Sequence, residues 1–185
     1  MRQPRTLRLP PSSPAAIALA MAAIAGGPAA AQMGEIAATH GDWQIRCFVA
    51  EEARGTETCA LHQFVAAEER DDADLRVLVW RDEDVGPVLQ VVTPLEVRLR
   101  AQVSVTVDEE VIGRMEFERC SADGCIAEVL LDEAALERFR TGETAVFGYQ
   151  LTTDADANAA IGFPIPLNGF AEGFDALDNW PPAGG

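Results

Sequence analysis

His62 is the residue whose type most readily suggests chemistry. An imidazole titrates near neutral pH and can serve as a general base. It sits in a run of strand-forming residues, Cys59 to Val65. A general base needs a nucleophile or a water to act on, and the surroundings offer little. Beyond the first thirty residues the only serines are Ser104 and Ser121, the only other histidine is His40, and the only phenol is Tyr149. Ser121 lies between Cys120 and Cys125, in a tight turn that suits a nucleophile poorly. No G-x-S-x-G elbow, H-E-x-x-H, P-loop or G-x-G-x-x-G occurs. His62 is therefore read as a strand histidine, and no catalytic residue is assigned.

The strongest metal-binding candidate is Asp154, Asp156 and Asn158, which imitate the opening D-x-D-x-N of a calcium loop. The match stops at Ala159, where that loop needs Gly, and at Ile165, where it needs a bidentate Glu. An Asx-rich turn explains the same residues. Asp71, Asp72 and Asp74, and Asp82, Glu83 and Asp84, read as loop charges. Neither a metal nor a cofactor is expected. A glycosidase built on any one carboxylate pair would be arbitrary in so acidic a chain, so a hydrolase using acidic residues is only the alternative reading.

Four cysteines, Cys47, Cys59, Cys120 and Cys125, permit three pairings. The local set, Cys47–Cys59 and Cys120–Cys125, is the easiest to build. Asp123-Gly124 supplies a turn inside the second loop. A zinc site fails on spacing, because neither pair is C-x₂-C and no His lies beside them. A redox C-x-x-C is also absent.

Disulfides require an oxidising compartment, and the N-terminus supplies an address. Arg2, Arg5 and Arg8 precede the apolar run Ala15–Ala25; Gly26, Gly27 and Pro28 break it; and Ala29-Ala30-Ala31 offers small residues for cleavage. This order is that of a secretory signal, with residues 1–31 removed before Gln32. The run is too short to span a bilayer as a mature helix. Removing 31 of 185 residues leaves 154, and losing three Arg takes the net charge from −16 to −19. The protein is expected to be periplasmic or secreted, with no transmembrane segment in the mature chain.

The composition excludes further classes. There are 14 Arg, no Lys and 30 acidic residues, with a pI near 4.3. Phosphate backbones repel such a chain, so nucleic acid is not a partner. A hydrophobic content of 48% is too high for a disordered acidic tail.

The positioning elements are read from period-two alternation. It runs through Trp43–Cys47, Cys59–Val65, Leu75–Trp80, Val97–Val107, Met115–Arg119 and Cys125–Val129. Pro87–Val92 and Ala145–Thr152 are short and rich in β-formers, and Asp108-Glu109-Glu110 marks a turn. Pro164 and Pro166 push Ile161–Leu167 to a sheet edge. The fold class is all-β: an antiparallel β-sandwich of about eight to ten short strands with one or two short helices. One helix follows Asp132, with Leu131 and Leu136 as a hydrophobic staple and Gly142 at its C-terminal side. A second runs from about Gly169 to Leu177, and residues 179–185 fray. Residues 32–178 form one domain.

Several of these residues carry a resemblance. Gly41-Asp42-Trp43, Cys47, Cys59-Ala-Leu61-His-Gln63, Phe117-Glu-Arg-Cys120, Gly124-Cys125, Leu136, Gly142 and Ile165-Pro-Leu167-Asn-Gly169-Phe170 occur in an order that resembles the invasion-associated locus B (IalB) family of bacterial secreted proteins. Pro94-Leu95-Glu96 departs from it, where the family tends to Pro-Leu-Gly. The resemblance implies an exported β-sandwich with disulfides and carries over no catalytic residues. The expected role is a non-enzymatic envelope or secreted module that binds a protein or surface; invasion enters only through the family name. A chaperone-like envelope stress module is the other alternative. The envelope or cell-surface partner is not named by any motif. Trp80 and Trp180 are candidate contact aromatics, with core packing the favoured reading for Trp80.

Overall fold

A computed structural model of the chain describes residues 34–49, 57–68, 70, 72–156, 158–178 and 180. The expected signal segment and, apart from Trp180, the expected fraying tail lie outside them.

The alternating runs become strands of two antiparallel sheets. The first contains β1 (Glu35–His40), β2 (Trp43–Val49), β3 (Glu57–Ala66), β4 (Asp74–Asp82), β5 (Gly86–Thr93), β8 (Phe117–Ser121) and β9 (Gly124–Leu130), in the order β1-β2-β3-β4-β5-β9-β8. The second contains β6 (Val103–Val107), β7 (Glu110–Met115), β10 (Thr144–Tyr149) and β11 (Ile161–Pro166), in the order β11-β10-β6-β7. Pro164 and Pro166 do sit on an edge strand, where their missing N–H groups cost no ladder bond. Between the sheets lies a core that includes Ile45, Leu61, Val77, Leu89, Val105 and Phe147, each 3% exposed or less.

The eleven strands exceed the eight to ten expected, for two reasons. Glu35–His40 is largely exposed, with Ala38 reaching the core, and forms β1 by pairing with β2. Met115–Arg119 keeps one alternation phase but crosses between sheets, so that Met115 ends β7 and Phe117 begins β8. The Val97–Val107 run is also not one strand. Val97 makes an isolated bridge to Leu151, a 3₁₀ helix follows at Leu99–Ala101, and Gln102 turns the chain with φ +63° before β6.

Both helices form where expected. Asp132 caps α1 (Glu133–Thr141) by accepting the Ala135 N–H at 2.7 Å. Gly142 closes the helix in an extended conformation rather than the left-handed one. What requires glycine there is space, since a Cβ would lie 2.4 Å from Val107 Cγ1. The second helix, α2 (Phe170–Leu177), buries Phe170 and Phe174 in the core. Phe170 meets Trp43 edge-on at 5.2 Å, and the Trp43 indole N–H donates to the Pro166 carbonyl at 3.0 Å. Arg140 grips Asp175 through two bonds of 2.7 and 2.9 Å, tying α1 to α2.

The first and last family-like motifs lie against each other. The Asp42 N–H donates to the Asn168 carbonyl at 3.0 Å. Gly169 caps α2 at φ +86°, and a Cβ on it would lie 2.1 Å from the His40 carbonyl oxygen. Both backbone conformation and crowding thus require glycine.

Candidate functional site

The residues singled out for catalysis do not converge. Ser104 Oγ donates to the Gly148 carbonyl at 3.2 Å. Ser121 Oγ accepts the Asp123 N–H at 3.3 Å, within its hairpin turn. Tyr149 is buried, donates its hydroxyl to the Asp74 carbonyl at 2.7 Å, and has its acidity pushed further from neutrality by that burial. Among the described residues none of the three hydroxyls is hydrogen-bonded to a histidine or a carboxylate.

The calcium-like loop is occupied by its own protein. Asp154 holds the Arg70 guanidinium at 2.6 Å, and Asp156 accepts the Asn158 N–H at 2.8 Å in an Asx turn. Arg70 also pairs with Asp72, holding that carboxyl below the usual carboxylate range. Asp82 accepts the N–H groups of Asp84 and Val85. Among the described residues no group of three His, Cys, Asp or Glu side chains is placed to hold a metal ion.

The cysteines pair as the local reading expects, Cys47 with Cys59 and Cys120 with Cys125. Each pair also sits at directly opposed positions of a hairpin, so each disulfide coincides with strand register. This has a consequence for His62. With Cys47 opposite Cys59, antiparallel counting puts Gln44 opposite His62. His62 therefore points to the outer face of the seven-stranded sheet, in a row running Gln44, His62, Leu78, Gln90, Glu128 across β2, β3, β4, β5 and β9.

Among the described residues that outer face brings a buried histidine and two arginines to one hollow. His62 is 5% exposed, and its Nε2 is buried with no hydrogen-bond partner. It lines a hollow of about 210 Å³ whose rim carries Arg46 and Arg76 and whose walls include Phe48, Leu78 and Val92. Arg46 donates to the Gly34 carbonyl and to Gln44 Oε1, and Arg76 donates to the Asp123 carbonyl at 2.6 Å. Among the described residues neither guanidinium is within salt-bridge distance of a carboxylate, a condition shared by Arg98, Arg100 and Arg114, whereas Arg70, Arg81, Arg119, Arg138 and Arg140 are paired. Burial, then the positive charges of Arg46 and Arg76, lower the His62 pKa from 6.5 to about 4. The imidazole is neutral at pH 7 and a weaker base than an ordinary histidine. It remains able to exchange hydrogen bonds with a bound group.

The hollow continues into a second one of about 330 Å³, which shares Arg46 and His62 and extends past Asp42, Gln44 and Phe64. Phe64 is 49% exposed, and Trp80 stands half-buried on the same face, opposite Val88. The two tryptophans thus exchange their expected roles. Trp80 is outside the core, while Trp180 packs against it. A separate open hollow lined by Arg98, Arg100 and Arg114 lies at the 3₁₀ helix, with Arg100 and Arg114 exposed.

Arg46 and Arg76 are missing from the sequence reading, where each is simply the polar member of an alternating pair. The disulfide register would have placed Arg46 beside Ala60, one rung from His62. Nothing local would have placed Arg76, because the β3–β4 register depends on a loop without a register signal.

The fold is similar to the crystal structure of invasion associated protein B from Bartonella henselae, with a TM-score of 0.61 at 22% identity, covering 76% of this chain and 93% of that one. No curated protein matches the chain. The family profile described as Invasion associated locus B (IalB) protein matches residues 43–178, from the Trp43 that anchors the core to the end of α2. The chain belongs to the IalB family.

Proposed function

We propose that the protein is an exported, non-enzymatic binding module of the bacterial envelope, and that it recognises its partner through the outer face of the seven-stranded sheet. In this reading residues 1–31 are a cleaved leader and residues 32–178 one domain, delivered to the periplasm or released. Two disulfides suit an oxidising compartment. Among the described residues no helix is long and apolar enough to cross a membrane.

A single observation carries the binding role. A buried histidine lies between two arginines in a chain of net charge −16, and among the described residues its Nε2 has no hydrogen-bond partner and neither guanidinium has a carboxylate partner. Leaving a buried polar atom unpaired costs about 1–3 kcal/mol. Two guanidinium charges close to that atom favour an anion there. Both features make sense when the missing partner comes from outside. Phe48, Phe64 and Trp80 beside them supply apolar contact area. The partner that complements this surface presents an acidic group on an apolar body.

Envelope capture with crosslinking tests this directly. Wild-type protein should recover a specific partner; Leu78→Asp, which puts an acid at the hollow, should lose it; and Val111→Asp, at a 73% exposed position on the other sheet, should retain it. Recovery unaffected by Leu78→Asp would refute the assignment of this face. Mass spectrometry of the exported protein should show Gln32 as the first residue, and an uncleaved chain would refute the leader.

A further inference from the structure

We infer that the hollow around His62 is a subsite for a small monocarboxylate with an apolar body. This rests on the outer sheet face being the recognition surface, and it names what that surface takes.

Charge sets the first constraint. Arg46 and Arg76 both border the hollow, and among the described residues neither has a carboxylate partner. Planar guanidinium groups present paired N–H donors that match the two oxygens of a carboxylate. Glu128 sits three strands from His62 in the same row, but its carboxylate accepts the Gln90 side-chain N–H at 2.9 Å and does not line the hollow. The ligand must therefore bring the negative charge.

Lining sets the second. Phe48, Ala60, Leu78 and Val92 are apolar, and the polar groups that remain are the two arginines, His62 and Gln90. That is enough for one anionic head and leaves an apolar wall for the rest of the ligand. A dianionic or polyhydroxylated ligand would lay unpaired polar atoms on that wall, which is unfavourable. Size sets the third constraint. About 210 Å³ is less than the ~300 Å³ at which sites for drug-sized ligands begin.

The same carboxylate completes His62. A neutral imidazole whose Nε2 has no partner among the described residues offers a further hydrogen bond to the head group. No bond is made or broken in the ligand, because the hollow of about 210 Å³ is lined by neither a nucleophile nor a carboxylate, Asp42 lining only the adjoining one.

Octanoate titrated into the purified chain by calorimetry, beside 1-octanol and acetate, tests the inference. Octanoate should saturate one site, with octanol and acetate each at least about tenfold weaker, since one lacks the charge and the other the body. Arg46→Gln and Arg76→Gln should each weaken octanoate about tenfold or more, while Arg100→Gln, an equal charge change at the separate open hollow, should leave it unchanged. Octanol binding as well as octanoate, or Arg100→Gln weakening it equally, would overturn the carboxylate subsite. Imidazole NMR of the wild-type protein needs no variant to fold. The His62 signals should move with octanoate and stay with octanol, and no movement would refute the site. If octanoate fails while Leu78→Asp still abolishes envelope capture, the ligand class is wrong and the surface is right. If Leu78→Asp leaves capture intact, the surface itself is wrong.

Discussion

Protonation of His62 should cost the protein stability, and the size of the loss follows from its surroundings. The imidazole is 5% exposed and faces Arg46 and Arg76, which together with burial lower its pKa from 6.5 to about 4. The unfolded chain binds that proton more readily than the folded one. Stability from this residue is therefore full above about pH 6.5 and is lost as pH falls through the folded pKa near 4. The drop amounts to roughly 3 kcal/mol, at about 1.4 kcal/mol for each tenfold in proton affinity. Carboxylates titrate in part of the same range, so the comparison must be with His62→Leu, which removes the imidazole and keeps an apolar side chain of similar size. Urea unfolding of both proteins between pH 7 and pH 4 measures the difference. Wild type should lose roughly 2–3 kcal/mol more than His62→Leu over that interval. At pH 7 the variant should be as stable as wild type or about 1 kcal/mol more so, because it deletes an unpaired buried atom. Parallel pH curves for the two proteins would refute the placement of His62 as a buried neutral group between two cations.

Three further outcomes are expected. Replacing Cys47 and Cys59 by Ser should cost roughly 3 kcal/mol, and replacing Cys120 and Cys125 roughly 2 kcal/mol, because the first bridge closes the longer loop; denaturant unfolding measures both, and non-reducing peptide mapping checks the pairing. Gly169→Ala should destabilise by more than the ~1 kcal/mol of an ordinary glycine exchange, since the new Cβ meets the His40 carbonyl at a left-handed position; thermal unfolding reads the loss. Calcium should leave the melting temperature unchanged, because Arg70 already holds Asp154; a rise with calcium would show that the loop can exchange that partner.

Alternation made most of this fold legible, and it failed where neighbours in space decide the structure. Leu75–Trp80 and Pro87–Val92 read as strands from their own residues, and they form the centre of the larger sheet. Glu35–His40 could not be read, because what makes it a strand is the ladder offered by β2. The Val97–Val107 run keeps its period on paper, yet Gln102 at φ +63° breaks it, and no local residue announces that turn. Met115 and Phe117 share a phase but serve different sheets, a distinction that only the layering supplies. The candidate site divides in the same way. His62 was visible as a residue type, and the Cys47–Cys59 register fixes the face it occupies. Arg76 reaches that face through β4, and its lack of a carboxylate within salt-bridge distance among the described residues is a fact of packing.

We propose the outer face of the seven-stranded sheet as the place where this IalB-family protein meets its partner. Photo-crosslinking in intact cells, from a probe replacing Leu78, tests it most directly, with a probe at Leu99, 50% exposed beside the arginine-lined hollow, as the matched control. The account predicts a discrete adduct from position 78 that excess octanoate suppresses, and none from position 99. Adducts of equal yield from both positions, or from position 99 alone, would contradict it.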